Sequence, residues 1–141
     1  MKNLTFEETN EVLTKHGWVE FYDSVGDGWA GILDSALSQM EAFTQSNSLG
    51  YKIDCIKEKW AGLRIYADVF GDATDEMREE FYQILLDAEC RSLEVCEYTG
   101  EPGEEYRSGF WRKTVNPAKA AELGFEKPKK IEAFSFRGNF N

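Results

Sequence analysis

Apolar residues recur at every second position through two neighbouring segments of the chain, at 51–55 and 63–69. This period places one face of each segment on a core and is typical of paired β-strands. Between the segments, Trp60-Ala61-Gly62 supplies a glycine for a tight turn. The pattern therefore predicts a β-hairpin over 51–69. Its inward residues would be Tyr51, Ile53, Cys55, Leu63, Ile65, Ala67 and Val69.

The loop length decides which charges of this hairpin meet. A two-residue loop at Ala61-Gly62 would set Lys59 opposite Arg64, a like-charge pair that disfavours the register. A three-residue loop, with Gly62 as the left-handed residue, sets Glu58 opposite Arg64 instead. We predict the second register. It gathers Ile53, Cys55, Leu63 and Ile65 on one face, flanked by the stems of Lys57 and Lys59, and leaves Glu58, Arg64 and Tyr66 on the other face.

A period of three to four residues predicts two long helices, one over 29–46 and one that begins after Thr74. The second helix carries carboxylates on the side away from its apolar stripe, which is also what a solvated face would show. The predicted stripes are Trp29, Leu33, Leu37, Met40 and Phe43, then Met77, Phe81, Ile84, Leu85, Ala88 and Leu93. The outer carboxylates are Glu76, Glu79, Glu80 and Asp87.

Shorter signals frame these elements. Thr5 and Glu8 form a capping box for a helix over 6–15, and 18–22 is predicted as a short strand. Gly26-Asp27-Gly28 is too short for a dinucleotide-binding loop and its aspartate would repel phosphate, so we interpret it as a turn and helix cap.

The last third of the chain changes character. We predict a compact turn at 96–103 and a strand or hairpin at 105–114. Asn116 and Pro117 then mark the start of a helix over 117–123, ended by Gly124. A basic linker at 127–130 and a final strand at 131–136 follow.

Together these elements predict an α+β fold, with two long helices packed on a small antiparallel sheet. We expect one domain over 1–141, comprising a core at 1–95, a small subdomain at 96–126, and a basic linker with a terminal strand at 127–141.

The net charge of −10 changes the functional picture. Residues 1–100 carry 20 acidic and 8 basic side chains, whereas 101–141 carry 6 and 8. Nucleic-acid binding needs a basic surface, so this balance argues against it and favours a partner with a basic face. The same charge would also serve solubility.

The cysteines and the histidine offer little chemistry. Cys55, Cys90 and Cys96 have no C-x-x-C spacing, and we expect reduced, partly buried thiols in the cytoplasm. His16, the one histidine, lies at a predicted helix end. Residues 1–9 lack the apolar run of a signal peptide, and no stretch is long and apolar enough to span a membrane.

Three motifs resemble those of a family of small uncharacterised bacteriophage and bacterial proteins. They are Gly26-Asp27-Gly28-Trp29, the stretch from Lys57 to Tyr66 (KEKWAGLRIY), and the stretch from Cys96 to Gly103 (CEYTGEPG). The resemblance runs from about Gly26 to Gly124. In some members the third motif is similar to a treble-clef zinc knuckle, with a C-x-x-C-G turn and a C-x-x-H pair at a helix start.

This chain departs from that ligand pattern. Cys96 matches, but Thr99, Asn116 and Lys119 stand at the other three positions. The resemblance therefore implies a zinc-less knuckle at the C-terminal end, in which Asn116 capping and packing of Trp111 replace the metal. We expect no metal and no other cofactor.

Two functional hypotheses follow. The first is a non-enzymatic interaction protein, phage-encoded as the resemblance implies, whose acidic surface binds or blocks a host protein such as a defence component. The second is a small-ligand, nucleotide-like binding module with Trp29, Arg64, Tyr66 and Trp111 around a pocket. An enzyme is disfavoured because the sequence offers no nucleophile–base pair or metal set. The candidate binding residues are Asp27, Trp29, Lys57, Glu58, Arg64, Tyr66, Glu79, Glu80 and Trp111.

Overall fold

The computed structural model describes residues 4–128. Over that range the chain is an α+β protein with four α-helices, two 3-10 turns and two separate antiparallel hairpins. The helices are α1 (Glu7–Lys15), α2 (Ala30–Ser46), α3 (Asp75–Ser92) and α4 (Pro117–Leu123). The strands are β1 (Gly50–Lys59), β2 (Gly62–Phe70), β3 (Glu104–Ser108) and β4 (Trp111–Val115). No helix in this range is long and apolar enough to cross a bilayer.

The last predicted elements fall beyond this range. The final strand at 131–136 and the second half of the basic linker at 127–130 lie outside the described residues. Lys127 is described, and its ammonium lies 2.5 Å from a carboxylate oxygen of Glu104 at the start of β3. This ion pair is exposed and contributes little to stability.

The two long helices form where the apolar period predicted them. Trp29, Leu33, Leu37 and Met40 are fully buried, and Phe43 is partly buried beside them. On α3 the stripe buries Phe81, Leu85 and Ala88, and the Thr74 hydroxyl caps the helix by accepting from the Met77 amide at 3.1 Å. Leu93, predicted as the end of this stripe, is instead exposed.

The segment at 18–22 is not a strand. Val19–Phe21 is a 3-10 turn, and Asp23 just beyond it has a left-handed backbone. A strand needs a neighbour, and this segment pairs with neither of the two-stranded sheets in the described chain. Trp18 instead packs on Tyr51, with its indole N–H donating to the tyrosine hydroxyl at 3.1 Å.

The predicted register of the first hairpin is wrong. Trp60 (φ 53°) and Ala61 (φ 70°) are the left-handed turn residues, and Gly62 pairs with Lys59. This two-residue turn matches the right-handed twist of the strands better than the three-residue loop that we predicted. Glu58 therefore faces Leu63, and Arg64 faces Lys57.

The like-charge pair in this register is tolerated because each cation has another partner. A guanidinium nitrogen of Arg64 lies 3.5 Å from the Glu89 carboxylate on α3, and the Lys57 ammonium lies 5.7 Å from the ring centre of Tyr66. A bulge between Ile53 and Cys55 also shifts the inward set. Ile53 and Ile56 are buried, whereas Cys55 pairs with Tyr66 and is only partly buried.

The apolar interior divides into two clusters. The larger one joins α1, α2, α3 and the first hairpin, and the smaller one joins the turn after Val95 to the second hairpin and α4. Both predicted ends of α4 are confirmed: Asn116 accepts from the Lys119 amide at 2.7 Å, and Gly124 is left-handed with φ 78°. The buried members of the smaller cluster are Cys96, Tyr98, Tyr106, Val115 and Ala120.

Candidate functional site

A buried ion pair lies between the two apolar clusters. The Lys113 ammonium on β4 lies 3.0 Å from a carboxylate oxygen of Glu97, and the two side chains are 6% and 2% exposed. A second carboxylate, that of Glu58 on β1, lies 3.5 Å from the same ammonium. Charges buried this deeply persist only when they are paired and hydrogen-bonded. We call Glu58, Glu97 and Lys113 the polar seam.

The first motif meets the third at this seam. The Gly26 amide donates to a Glu97 carboxylate oxygen at 3.1 Å, and the Gly28 amide donates to the Glu97 carbonyl at 2.8 Å. A Cβ on Gly28 would lie 2.0 Å from the Cys96 carbonyl oxygen, so only glycine permits this approach. The Trp29 indole N–H also donates to the Val95 carbonyl at 2.8 Å.

The second motif reaches the same place through its turn. The Glu58 carboxylate accepts from the Ala61 amide at 2.9 Å, and the Thr114 hydroxyl donates to the Ala61 carbonyl at 2.7 Å. Non-glycine residues adopt left-handed backbone at a cost, and these two bonds offset it. The guanidinium of Arg112 lies 5.1 Å from the ring centre of Trp60, which adds a cation–π contact at the rim.

All three motifs therefore contribute contacts that join the larger apolar cluster to the smaller one. The seam has no free nucleophile or unpaired base, because each carboxylate and the ammonium already has partners. Sequence analysis missed Glu97 and Lys113 because charged side chains were assigned to the surface. The alternation along β4 gives no signal for Lys113, because Trp111 on the same face is exposed and Thr114 on the opposite face is fully buried.

Asp27 is a helix cap in the structure, as predicted, but it caps α1 and not α2. One carboxylate oxygen accepts from the amides of Glu8 at 2.8 Å and Thr9 at 3.0 Å, and the other accepts from the Thr5 hydroxyl at 2.7 Å. The predicted capping box between Thr5 and Glu8 is wrong, since α1 makes no side-chain cap bond of its own. The Asp27 carboxylate binds both the Glu8 amide and the Thr5 hydroxyl, the two groups that the box would have joined to each other.

We expect Asp27→Ala to lower the free energy of unfolding by about 1–2 kcal/mol, the usual cost of removing a helix cap. Urea denaturation followed by circular dichroism would measure this. Asp72→Ala is the matched control, because Asp72 is an exposed aspartate in the turn before α3. Equal midpoints for the two variants would contradict a capping role for Asp27.

His16 is held between two carboxylates, and no cysteine in the described part of the chain is hydrogen-bonded to it. Its ring nitrogens lie 2.7 Å from oxygens of Asp34 and Glu41, and the side chain is 5% exposed. Both ring nitrogens are therefore already engaged by carboxylate partners. Hydrogen bonds from His16 and then Lys15 hold the pKa of Asp34 below its ordinary value. Burial raises the pKa of Tyr51, which donates to Glu41, to about 12.

A groove lies between β2 and α3, and it includes two of the four residues predicted to surround a ligand pocket. Two adjoining cavities of about 410 and 300 Å³ share Ile65, Tyr66 and Tyr82, and Arg64 lines the smaller one. Trp29 is buried in the core and Trp111 is exposed on β4, and neither lines these cavities. The structure therefore brings together only Arg64 and Tyr66 from the predicted set.

The other candidate residues are placed on different surfaces. Lys57 lies over Tyr66, and Glu58 belongs to the seam. Glu79 and Glu80 are exposed on α3. Trp111 is 66% exposed, so the prediction that its packing replaces a metal clamp is wrong.

Three of the four positions that resemble zinc ligands, Thr99, Asn116 and Lys119, are linked by hydrogen bonds through Asn116. The Asn116 side-chain amide donates to the Thr99 hydroxyl at 3.3 Å and to a Glu101 carboxylate oxygen at 2.6 Å. The Cys96 carbonyl accepts from the Gly100 amide at 2.9 Å, and the Lys119 ammonium lies 5.1 Å from the ring centre of Tyr98. Asn116 thereby ties the turn at 96–103 to the start of α4.

Across residues 4–128 no three side chains of His, Cys, Asp or Glu are grouped so that they could hold a metal ion. The thiols differ in burial: Cys96 is fully buried, Cys55 is partly buried and Cys90 is exposed. Comparison of the chain with protein-family models, with curated proteins and with solved structures gave no match.

Proposed function

We propose that this chain is a non-enzymatic interaction protein whose acidic surface binds a basic face of another protein. In the context of the resemblance, it is a phage-encoded accessory protein that acts in the host cytoplasm by engaging or blocking a host protein. The observation that carries the proposal is the outer face of α3, where Glu79 and Glu80 are exposed and have no ion-pair partner in the described chain.

The negative charges of Glu79 and Glu80 are not offset by the helix dipole or by an ion pair, as those of neighbouring carboxylates on α3 are. Asp75 and Glu76 lie in the first turn of α3, where the helix dipole favours negative charge. Asp87 pairs with Arg91 at 3.6 Å. Glu79 and Glu80 lie past the first turn, three and four residues after Glu76, so the like-charge repulsion there is relieved by solvent ions or by a partner. Exposed Tyr82 and Leu86 on the same helix supply apolar contact area.

The rest of the fold holds this face of α3 in place. The two long helices and the first hairpin form its frame, and residues 96–126 form a zinc-less knuckle. Support for the knuckle comes from the Asn116 bonds to Thr99 and Glu101, which link a turn to a helix start as metal does in a treble clef.

We expect reversal of the two charges, Glu79→Lys with Glu80→Lys, to slow association with a partner while the fold stays intact. Capture from host lysate with mass spectrometry would identify the partner, and surface plasmon resonance would measure the rates. Association should also slow steeply with added salt, because screening at ~0.15 M limits exposed charges to a reach of about 8 Å.

The matched control is Glu11→Lys with Glu20→Lys, which makes the same change in net charge on exposed residues away from α3. If both double variants slow association equally, the effect belongs to net charge and not to this face. Affinity that is insensitive to salt and to both variants would overturn the acidic-surface proposal.

A further inference from the structure

The outer edge of β2 has an open stretch of backbone. Lys59 and Gly62 close a two-residue turn as a hydrogen-bonded pair, so the next residue, Leu63, directs its amide away from β1. That amide donates to the Ser92 hydroxyl on α3 at 2.8 Å. At the other end of the strand, the Val69 carbonyl accepts from Arg78 at 3.5 Å and the Val69 amide donates to the Asp68 carboxylate at 2.8 Å.

The backbone between these two ends also faces outward. In an antiparallel pair, the backbone N–H and C=O groups of every second residue point away from the partner strand. The backbone groups of Ile65 and Ala67 therefore point away from β1, as those of Leu63 and Val69 do. No group within residues 4–128 outside β1 bonds to the backbone of Ile65 or Ala67. Ser92 and Arg78 thus close the two ends of the edge and leave its middle open.

The open backbone lies along the groove between β2 and α3. Ile65 and Tyr66 line both cavities of this groove, and Ala67 lines the larger one. Phe81 and Leu85 provide apolar walls below, and the exposed ring of Tyr82 stands on the other side. The groove therefore offers hydrogen-bonding groups along one wall and apolar contacts along the other, which is what an added strand requires.

The charges of α3 and of the groove indicate which kind of segment would bind there. α3 carries six carboxylates against two guanidinium groups, and the arginines that line the groove, Arg64 and Arg78, already lie against Glu89 and Asp68. The groove itself is lined by Asp54, Asp68 and Glu89 against Arg64 and Arg78, so an added segment would meet a small excess of negative charge beside it. The edge of β1, by contrast, carries three lysines and a bulge, which are the usual protections against strand addition, and β2 has no lysine.

We propose that the open middle of the β2 edge, at Ile65 and Ala67, binds an extended, lysine- or arginine-bearing segment of a partner protein as a third strand. This inference rests on the proposed acidic interaction function and assigns its point of contact. Backbone bonds to Ile65 and Ala67 hold the segment, and its cationic side chains lie toward the carboxylates of α3.

The probe is a short peptide of alternating lysine and valine with blocked ends. Its matched control is the same peptide N-methylated at alternate amides, which keeps the charge and removes ladder donors. We expect the N-methylated peptide to bind about tenfold more weakly or worse, because each lost hydrogen bond costs roughly fivefold. Amide exchange followed by NMR should slow at Ile65 and Ala67 when the unmodified peptide binds.

A protein variant tests the same edge from the other side. Ala67→Pro removes one outward amide, which an edge strand tolerates, and Ala67→Ser keeps it. Circular dichroism establishes that each variant folds, and binding should be lost in the proline variant alone. Equal binding of the two peptides, or chemical-shift changes confined to other surfaces such as Phe110 and Trp111, would overturn the edge proposal whether or not the proline variant folds.

The outcomes separate this inference from the function on which it rests. If Glu79→Lys with Glu80→Lys weakens peptide binding and Ala67→Pro does not, the acidic-surface function stands and docking at the β2 edge is wrong. If neither the charge reversal nor the proline variant weakens binding, both proposals fall.

Discussion

Replacing Lys113 with methionine is expected to lower the free energy of unfolding by about 3–5 kcal/mol, the cost of leaving one member of a buried ion pair without its partner. Methionine fills a similar volume but removes the ammonium from the Glu97 carboxylate, which is 2% exposed. That carboxylate then keeps its hydrogen bond from the backbone amide of Gly26. Chemical denaturation monitored by tryptophan fluorescence would measure the change, with an unaltered slope showing that the unfolding transition remains comparable.

Two further variants separate burial from charge. Lys52→Met also removes a lysine from an ion pair, with Asp54 at 3.4 Å, but that pair is exposed and its loss should cost less than about 1 kcal/mol. Adding Glu97→Gln to Lys113→Met should recover much of the lost stability, because no unpaired charge then remains at Glu97. A double variant no more stable than the single one would refute the ion-pair account.

Gly28→Ala is the second change with a large expected effect. The new methyl group would lie 2.0 Å from the Cys96 carbonyl oxygen and 2.6 Å from the Glu97 carbonyl carbon, both of which are backbone atoms. Because backbone atoms cannot rotate away as a side chain can, the first and third motifs must separate. The hydrogen bond from the Gly28 amide to the Glu97 carbonyl must then lengthen. We expect a loss of about 3 kcal/mol or more, the upper range for overpacked interiors.

Gly31→Ala is the matched control for Gly28→Ala, because it makes the same substitution three residues later in the chain. Gly31 is the second residue of α2, and nothing stands within 4 Å of the position of an added Cβ. Alanine there should stabilise the helix by up to about 1 kcal/mol. The two glycine variants should therefore shift the thermal midpoint in opposite directions. A shift of the same sign and size would show that the close approach at Gly28 is not what the chain requires of that glycine.

The parts of the fold predictable from sequence are those set by local periodicity. The stripe through Leu33 and Leu37 specifies a helix and its buried face within a few turns of chain. The Asn116-Pro117 start of α4 is likewise a local signal, and the structure confirms it. In each case the residues that decide the structure are close together in the sequence.

The predictions that were wrong concern structure decided by residues far apart in the sequence. The turn at Trp60 and Ala61 depends on the Thr114 hydroxyl, which comes from a residue 53 positions later in the chain. The cap of α1 is supplied by Asp27, which lies 19 positions beyond Glu8. No local pattern contains such contacts, so propensity favoured the glycine at 62 and the capping box at 5–8. Lys113 and Glu97 were missed for the related reason that a buried charge is recognisable only with its partner.

The polar seam also fixes an order of events during synthesis. Ala61 leaves the ribosome 53 residues before Thr114, and Gly26 leaves 71 residues before Glu97. At typical elongation rates of about 5–20 residues per second, the first hairpin waits roughly 3–10 seconds for the hydroxyl that completes its turn. During that interval the larger cluster can collapse, but the chain keeps an unfinished turn and an unpaired Gly26 amide. The nascent protein therefore reaches its final stability only when the last strand of the second hairpin has emerged.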